Sequence, residues 1–217
     1  MLREQIRNLT ERLAGYARLV EGMIERTTAA LVSRDPALLA EVVGVQERRA
    51  NELEVEIAAA ATAVIAQFQP KARDLRTVLM VLGITDDLER LGDHAVNIAE
   101  AVGWLLATAP GRSFSGVPRM AEAAVRMIDE AITAFITGDA ALGRRVCESD
   151  AAVDGLAEGI LRETEAAMAG DPSSIEAGLR VLKIAGNLER IADLATNIGE
   201  DVVYMVDGRV IKHHQDA

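Results

Sequence analysis

The sequence predicts an all-α protein built as two tandem three-helix bundles. Of its 217 residues, 50% are hydrophobic but only 3% are aromatic, and this mixture favours packed helices over sheets. Apolar residues recur at helical spacing along most of the chain. The stretch DDLERLGDHAVNIAE at residues 86–100 returns at residues 186–200 as GNLERIADLATNIGE. Such an internal repeat indicates two copies of one structural unit.

Three long helices are predicted in the first unit. The spacing of apolar side chains places them at residues 4–32, 36–68 and 72–107. Val42 and Val43 are both expected to face the core from the second of these helices. Residues typical of helix starts and ends mark the boundaries: Asp35, Pro36 and Pro70.

A stretch rich in Gly, Pro and Ser at residues 108–117 is the predicted linker between the units. It divides the chain into a first domain at residues 1–108 and a second at residues 118–207. Residues 208–217 follow the last helical pattern, and we expect them to form a flexible tail.

The second unit repeats the order of the first. Its first helix is predicted at residues 118–137, and Asp139 is placed to cap a second helix that ends near residue 169. The run Ser173-Ser174-Ile175-Glu176 matches a capping box and is expected to open the last helix, which fades near residue 207.

Each repeated signature has two different faces when it is drawn as a helix. One face is apolar and is predicted to be buried, through Leu88, Leu91, Ile98, Leu188, Ile191 and Ile198. The opposite face carries oxygen-bearing side chains at steps of four, four and three residues. We call these two faces the acidic stripes: Glu89, Asp93, Asn97 and Glu100 in the first, and Glu189, Asp193, Asn197 and Glu200 in the second.

The composition of the acidic stripes suggests that they bind a cation. Like charges four residues apart destabilise a helix, and no basic residue lies within either stripe to offset them. Carboxylate and amide oxygens are ligands for Mg²⁺ and Mn²⁺, and carboxylates also bind Fe and Zn²⁺. The simpler interpretation is a solvated helix face, because a single E-x-x-x-D spacing is common.

Neighbouring helices must complete any metal site on the stripes. Residues four apart on a helix are separated by about one turn, roughly 6 Å, which is too far for three of them to hold one ion tightly. The candidate additional ligands are Glu25 or Glu47 in the first unit and Asp129 or Asp150 in the second. Otherwise each stripe would bridge several ions through water or hydroxide.

Charge and composition exclude several classes of protein. The net charge of −11 argues against binding to nucleic acid, which requires a basic surface. The first residues, MLREQIRNLTERL, lack the apolar region of a signal peptide, and no apolar run is long enough to span a bilayer. We therefore expect a cytoplasmic protein.

The chain resembles the PhoU family, which regulates bacterial phosphate uptake. The resemblance covers nearly the whole chain and is strongest in LERLGDHAVNIAE at 88–100, LERIADLATNIGEDVVYMVDG at 188–208 and QPKARDLR at 69–76. It implies negative control of the phosphate (Pho) regulon without catalysis. The implied partners are the phosphate ABC transporter, through its ATPase subunit, and a sensor histidine kinase. We also expect a homodimer that reaches the membrane only through these partners.

Family members carry E(D)-x-x-x-D motifs that can bind metal centres. This motif maps onto Glu89 with Asp93, and onto Glu189 with Asp193. The two copies differ nearby, since Gly92, His94 and Asp87 correspond to Ala192, Leu194 and Asn187. The resemblance therefore implies either two sites of different affinity or a single site that fills.

Two other functions compete with this interpretation. An accessory protein of another phosphate transport route would share the fold. A di-iron enzyme of the helical-bundle kind would need Glu-x-x-His pairs that point into the core. The sequence contains no Glu-x-x-His, and its carboxylates lie opposite the apolar face, so we consider the enzyme the weaker alternative.

Overall fold

The computed structural model describes residues 1–109 and 116–208, and within these ranges every regular element is helical. This confirms the predicted all-α fold. The predicted linker lies partly, and the predicted tail almost entirely, outside the described residues.

The first unit contains three helical rods, close to their predicted positions. The first rod is α1 and the third is α4, whereas the second is made of α2, a π-helical turn and α3 in direct succession. Their bounds are Leu2–Ser33 for α1, Ala37–Glu41 for α2, Val42–Gln46 for the π-helical turn, Glu47–Phe68 for α3 and Ala72–Thr108 for α4.

The π-helical turn is a feature that the sequence pattern did not reveal. A π turn holds more residues than an α turn, so it rotates the following side chains relative to the helical pattern. Val42 is fully buried as predicted, but Val43 is 42% exposed. The prediction that both valines face the core was therefore wrong for Val43.

The second unit repeats this arrangement with α5, α6 and α7. Their bounds are Gly116–Thr137 for α5, Ala140–Gly170 for α6 and Ile175–Asp207 for α7, with a 3₁₀ turn at Pro172–Ser174 before the last. Asp139 caps α6 as predicted, because its Oδ1 accepts a hydrogen bond from the amide of Leu142 at 2.9 Å.

The predicted capping box at the start of α7 does not form. The carboxylate of Asp171 instead accepts hydrogen bonds from the amide and hydroxyl of Ser173, at 2.9 and 2.7 Å. The Ser174 hydroxyl donates backwards to the Asp171 carbonyl at 2.6 Å. Asp171 closes the 3₁₀ turn first, so the serines are not available to cap the longer helix.

Each unit packs as a bundle, and the two bundles lie side by side. Helices α1, α3 and α4 pack against one another in the first bundle, as do α5, α6 and α7 in the second. Between the bundles, α1 contacts α5 and α4 contacts α7. The apolar face of both signatures points inward, because all six residues predicted to be buried are no more than 2% exposed.

Helices α6 and α7 cross at a pair of facing glycines. A Cβ atom built on Gly143 would lie 2.8 Å from the carbonyl oxygen of Gly199, and one on Gly199 would lie equally close to that of Gly143. Only glycine allows this approach. It brings the acidic side chains in the middle of α6 towards the second acidic stripe on α7.

None of the helices within the described ranges combines the length and the apolar composition needed to cross a membrane.

Candidate functional site

The two signature helices run antiparallel across the interface between the bundles. The Arg76 guanidinium, near the start of α4, donates from Nε to the carbonyl of Met205, near the end of α7, at 3.2 Å. Further along, Glu100 pairs with Lys183 at 3.7 Å. The start of each helix therefore lies beside the end of the other. We call this α4–α7 interface the seam.

A groove with a volume of about 570 Å³ opens at the middle of the seam. We call it the central groove. Its lining comes from matching positions of the two signatures: Arg90, Asp93, His94 and Asn97 from α4, and Arg190, Asp193, Leu194 and Asn197 from α7. The Asp and Asn residues of both acidic stripes thus share one groove, with an arginine from each copy beside them.

A first acidic cluster forms where α3 packs against α4. Glu89 is half-buried, and burial raises the pKa of its carboxyl, as do the negative charges of Asp93, Glu54 and Asp86. Arg90 acts in the opposite direction. We define the first acidic cluster as Glu54, Glu89 and Asp93.

A buried phenol from α1 faces this cluster. Tyr16 is fully buried, and its hydroxyl has no hydrogen-bond partner within the described part of the chain. Burial raises the pKa of Tyr16, and the charges of Glu89, Glu54 and Asp93 raise it further. The phenol therefore keeps its proton and supplies a neutral donor next to three carboxyl groups.

A second acidic cluster forms where α6 packs against α7. Burial raises the pKa of Asp150 to about 6, with further contributions from Asp154, Asp193 and Glu189. One oxygen of Asp150, Oδ1, is buried and accepts no hydrogen bond from any described residue. We define the second acidic cluster as Asp150, Asp154, Glu189 and Asp193.

The structure adds two residues that the sequence analysis missed, Glu54 and Asp154. The offset of 100 residues that relates the two signatures also relates this pair, and it could have identified them. The same offset pairs Asp150 with Ala50. A Cβ atom on Gly92 would lie 3.9 Å from that of Ala50, so Ala50 faces α4 where Asp150 faces α7.

Two of the candidate additional ligands lie elsewhere. Glu25 lines a groove between α1 and α5. Asp129, on α5, raises the pKa of Glu21 on α1, as does Glu25. These carboxyls face the contact between the bundles rather than the acidic stripes.

Of the remaining candidates, only Asp150 is a member of either cluster. In α3, Glu54 rather than Glu47 is the acidic neighbour that influences Glu89. Glu100 faces Lys183 across the seam. Glu200 lies near the thiol of Cys147 on α6, whose pKa it raises together with burial.

The clusters provide hard oxygen donors but not a closed coordination sphere. Among residues 1–109 and 116–208, no group of three His, Cys, Asp or Glu side chains is placed to hold a metal ion. The raised pKa of Glu89 and Asp150 and the unpaired oxygen of Asp150 nevertheless show negative charge that no side chain in the clusters offsets. These features fit a cation that binds after side-chain rotation, with water as further ligand.

Curated relatives and solved structures match the chain along nearly all of its length. A homologue from Aquifex aeolicus (strain VF5), named "Phosphate-specific transport system accessory protein PhoU homolog", is 32% identical over 97% of this chain and 95% of its own. A second, numbered homolog 2, from Thermotoga maritima, is 31% identical over 100% of this chain and 92% of its own.

The fold agrees with the crystal structure of PhoU from Pseudomonas aeruginosa. The two superpose with a TM-score of 0.90 at 30% sequence identity, over 96% of this chain and 100% of the other. The PhoU domain matches the chain twice, at residues 13–102 and 117–202. Each match spans one bundle and its signature helix, and the chain therefore belongs to the PhoU family.

Proposed function

We propose that this protein is an accessory regulator of phosphate uptake that restrains the phosphate (Pho) regulon. It would act without catalysis, as an adaptor between the ATPase subunit of the phosphate ABC transporter and a sensor histidine kinase. The observation that carries the proposal is the match of both bundles to the PhoU domain, together with relatives named as accessory proteins of phosphate-specific transport.

The surface of the seam supports an adaptor role. Leu79 on α4 is 44% exposed, and Leu179, at the matching position of α7, is 57% exposed. Because α4 and α7 are antiparallel, these leucines lie towards opposite ends of the seam. Single exposed apolar residues are common on protein surfaces, so it is the recurrence of these leucines at matching positions of the two repeats that suggests contact with another protein.

Co-purification from cells tests the adaptor role. The tagged full chain should retain the transporter ATPase subunit and the histidine kinase from membranes solubilised in mild detergent. The variant Leu79→Ser/Leu179→Ser should retain less of both, whereas Leu161→Ser, on the outer helix α6, serves as a control with similar exposure. Recovery of neither partner by the wild type would refute the adaptor role, and recovery of a different phosphate transporter would identify the alternative route.

The acidic clusters are the proposed metal sites. Glu54, Glu89 and Asp93 would hold a divalent cation in the first bundle, and Asp150, Asp154, Glu189 and Asp193 in the second. The cation, which could be Mg²⁺, Mn²⁺, Fe or Zn²⁺, would supply positive charge between carboxylates that repel one another. Asn97 and Asn197 would remain in the central groove, at the edge of the two sites.

The two clusters should differ in affinity, because the second has one more carboxylate. Asp150 occupies the position of Ala50, and the first cluster has the neutral phenol of Tyr16 nearby. Affinity for hard cations rises with the number of charged ligands. The variant Asp150→Ala, which copies the first bundle at this position, should therefore weaken the stronger site.

Metal titration by calorimetry tests these sites, together with the metal content of the purified protein. The wild type should bind more tightly than Glu89→Gln/Asp93→Asn and than Glu189→Gln/Asp193→Asn, with the larger loss in the second pair. Equal binding by all three proteins, or no binding of Mg²⁺, Mn²⁺, Fe²⁺ or Zn²⁺ by the wild type, would leave the stripes as solvated or protein-docking surfaces.

We also propose a cytoplasmic homodimer. Light scattering on the purified full chain should give twice the chain mass of 23.2 kDa. A mass that stays at one chain over a hundredfold range of concentration would contradict the dimer without affecting the adaptor role.

A further inference from the structure

The seam differs in charge on the two sides of its middle, although repeated helices form both sides. On one side, His94 of α4 lies beside Asn187 and close to Lys183 of α7, which pairs with Glu100. An offset of 100 residues gives the matching positions on the other side, Leu194, Asp87 and Gly83. One side therefore carries basic and amide side chains where the other carries an apolar residue, an acidic residue and a glycine.

A pocket of about 360 Å³ lies on the basic side, next to the central groove. We call it the basic pocket. None of the described residues that line it is acidic, in a chain whose net charge is −11. Its polar lining consists of His94, Asn97, Lys183, Asn187 and Arg190.

Contacts across the seam hold this lining in place. The imidazole of His94 donates from Nδ1 to Oδ1 of Asn187 at 2.9 Å, which joins the two bundles at the pocket. The Asn187 amide donates in turn to the carbonyl of Lys183 at 2.7 Å. Arg190 forms no ion pair with any described residue, so its guanidinium is available to a ligand.

We propose that the basic pocket binds inorganic phosphate. The two permanent cations Lys183 and Arg190, with the second N–H of two amides, match a small, doubly charged oxyanion. These amides are those of Asn97 and Asn187, and His94 holds Asn187 in place. The pocket is open to solvent and wide enough for a hydrated anion. The choice of phosphate as the anion in the cell rests on the proposed function, whereas the anion site rests on the lining alone.

Nearby carboxylates favour phosphate over sulfate. The basic pocket shares His94, Asn97 and Arg190 with the central groove, which also contains Asp193. Glu100 reaches Lys183 from the side. At neutral pH phosphate keeps a proton that it can donate to a carboxylate, but sulfate has none and would be repelled.

Calorimetric titration of the full chain with inorganic phosphate tests the site. We expect saturable binding of one anion per chain, with the affinity reduced about tenfold or more in Arg190→Gln and in Lys183→Gln, because each removes a charge-assisted contact. Arg119→Gln, an exposed residue of α5 outside the pocket, removes the same charge and should bind as the wild type does. His94→Leu copies Leu194, the residue at the matching position of the second signature, so this variant should fold normally. It should bind phosphate more weakly than the wild type does.

Titrations with sulfate and with ATP test whether the basic pocket prefers inorganic phosphate. Sulfate should bind at least about tenfold more weakly than phosphate, given the carboxylates at the rim. ATP offers the same phosphoryl chemistry on a larger molecule, and it should compete poorly if free phosphate is the ligand. No saturable phosphate binding, an equal loss in Arg119→Gln, or sulfate or ATP binding as tightly as phosphate would overturn the proposal. Because co-purification with the transporter uses a different readout, such a failure would leave the adaptor role standing.

Discussion

At the scale of single residues, Asp150 is the clearest sign of unbalanced charge. Its folded-state pKa is about 6, against an ordinary value of 3.8, because it is partly buried near Asp154, Asp193 and Glu189. The folded protein therefore holds a proton that the unfolded chain releases, and stability falls as the pH rises from about 4 to about 6. Above pH 6 the ionised carboxyl destabilises the fold.

Replacing Asp150 with Asn should remove this cost. In the presence of a chelator, Asp150→Asn should be more stable than the wild type at pH 7.5 by about 1 kcal/mol, a value reduced from the full pKa shift because the carboxyl is partly solvated. The difference should vanish below pH 4. Urea unfolding at both pH values measures it, with Glu165→Gln on the exposed side of α6 as the control. A variant less stable at pH 7.5 would show that the charge of Asp150 is already compensated.

At the scale of helices, α4 has a buried face and an exposed face. Leu91 lies on the buried face of α4 and is fully buried, whereas Leu79 on the same helix is 44% exposed. Leu91→Ala should lower the free energy of unfolding by about 2–5 kcal/mol through the cavity it leaves. Leu79→Ala should change it far less. Denaturant unfolding compares them, and equal effects would mean that the phase of α4 is misassigned.

Helix phase is also the part of the fold that the sequence predicts best. Periodicity and the repeat place all six apolar residues predicted to be buried on the buried face, and Asp139 caps α6 as expected. The π-helical turn at Val43 has no sequence pattern of its own. It adds a single residue to one turn of the helix, and the apolar spacing before and after that turn remains helical. The capping box fails because Asp171 competes for the same amides.

Only part of the candidate site could be predicted from the sequence. Contacts between the bundles depend on how the two repeats pack together, and the sequence of one repeat does not specify that packing. The acidic stripes and Asp150 are visible as motifs. The contact between His94 and Asn187 depends on antiparallel packing of α4 and α7, which no local pattern specifies. In the sequence, both residues stand out only as differences between the two copies.

At the scale of the whole molecule, Glu21 of α1 lies at the contact between the bundles, where the charge of Asp129 on α5 reaches it. Burial raises the pKa of Glu21 to about 7, and Asp129 on α5 and Glu25 add to this, while Arg18 opposes it. The unfolded carboxyl ionises near its ordinary value of 4.5. Stability should therefore decrease as the pH rises from about 4.5 to about 7.

The variant Glu21→Gln should flatten this dependence. It should raise the melting temperature relative to the wild type at pH 8 but not at about pH 3, where the wild-type carboxyl is protonated in both states. Thermal unfolding monitored by circular dichroism at the two pH values gives the comparison, and Glu165→Gln controls for net charge. The same increase at both pH values would exclude ionisation of Glu21 as its cause.

The central claim is that this chain restrains the phosphate regulon, and expression of a phosphate-regulon reporter tests it most directly. The measurement is made at high phosphate in a bacterium that lacks its own PhoU family member, with and without this gene. We expect high reporter expression in the deleted strain and repression when the wild-type chain is present, with weaker repression by Leu79→Ser/Leu179→Ser. Equal reporter expression with and without the wild-type chain, at comparable protein levels, would contradict it.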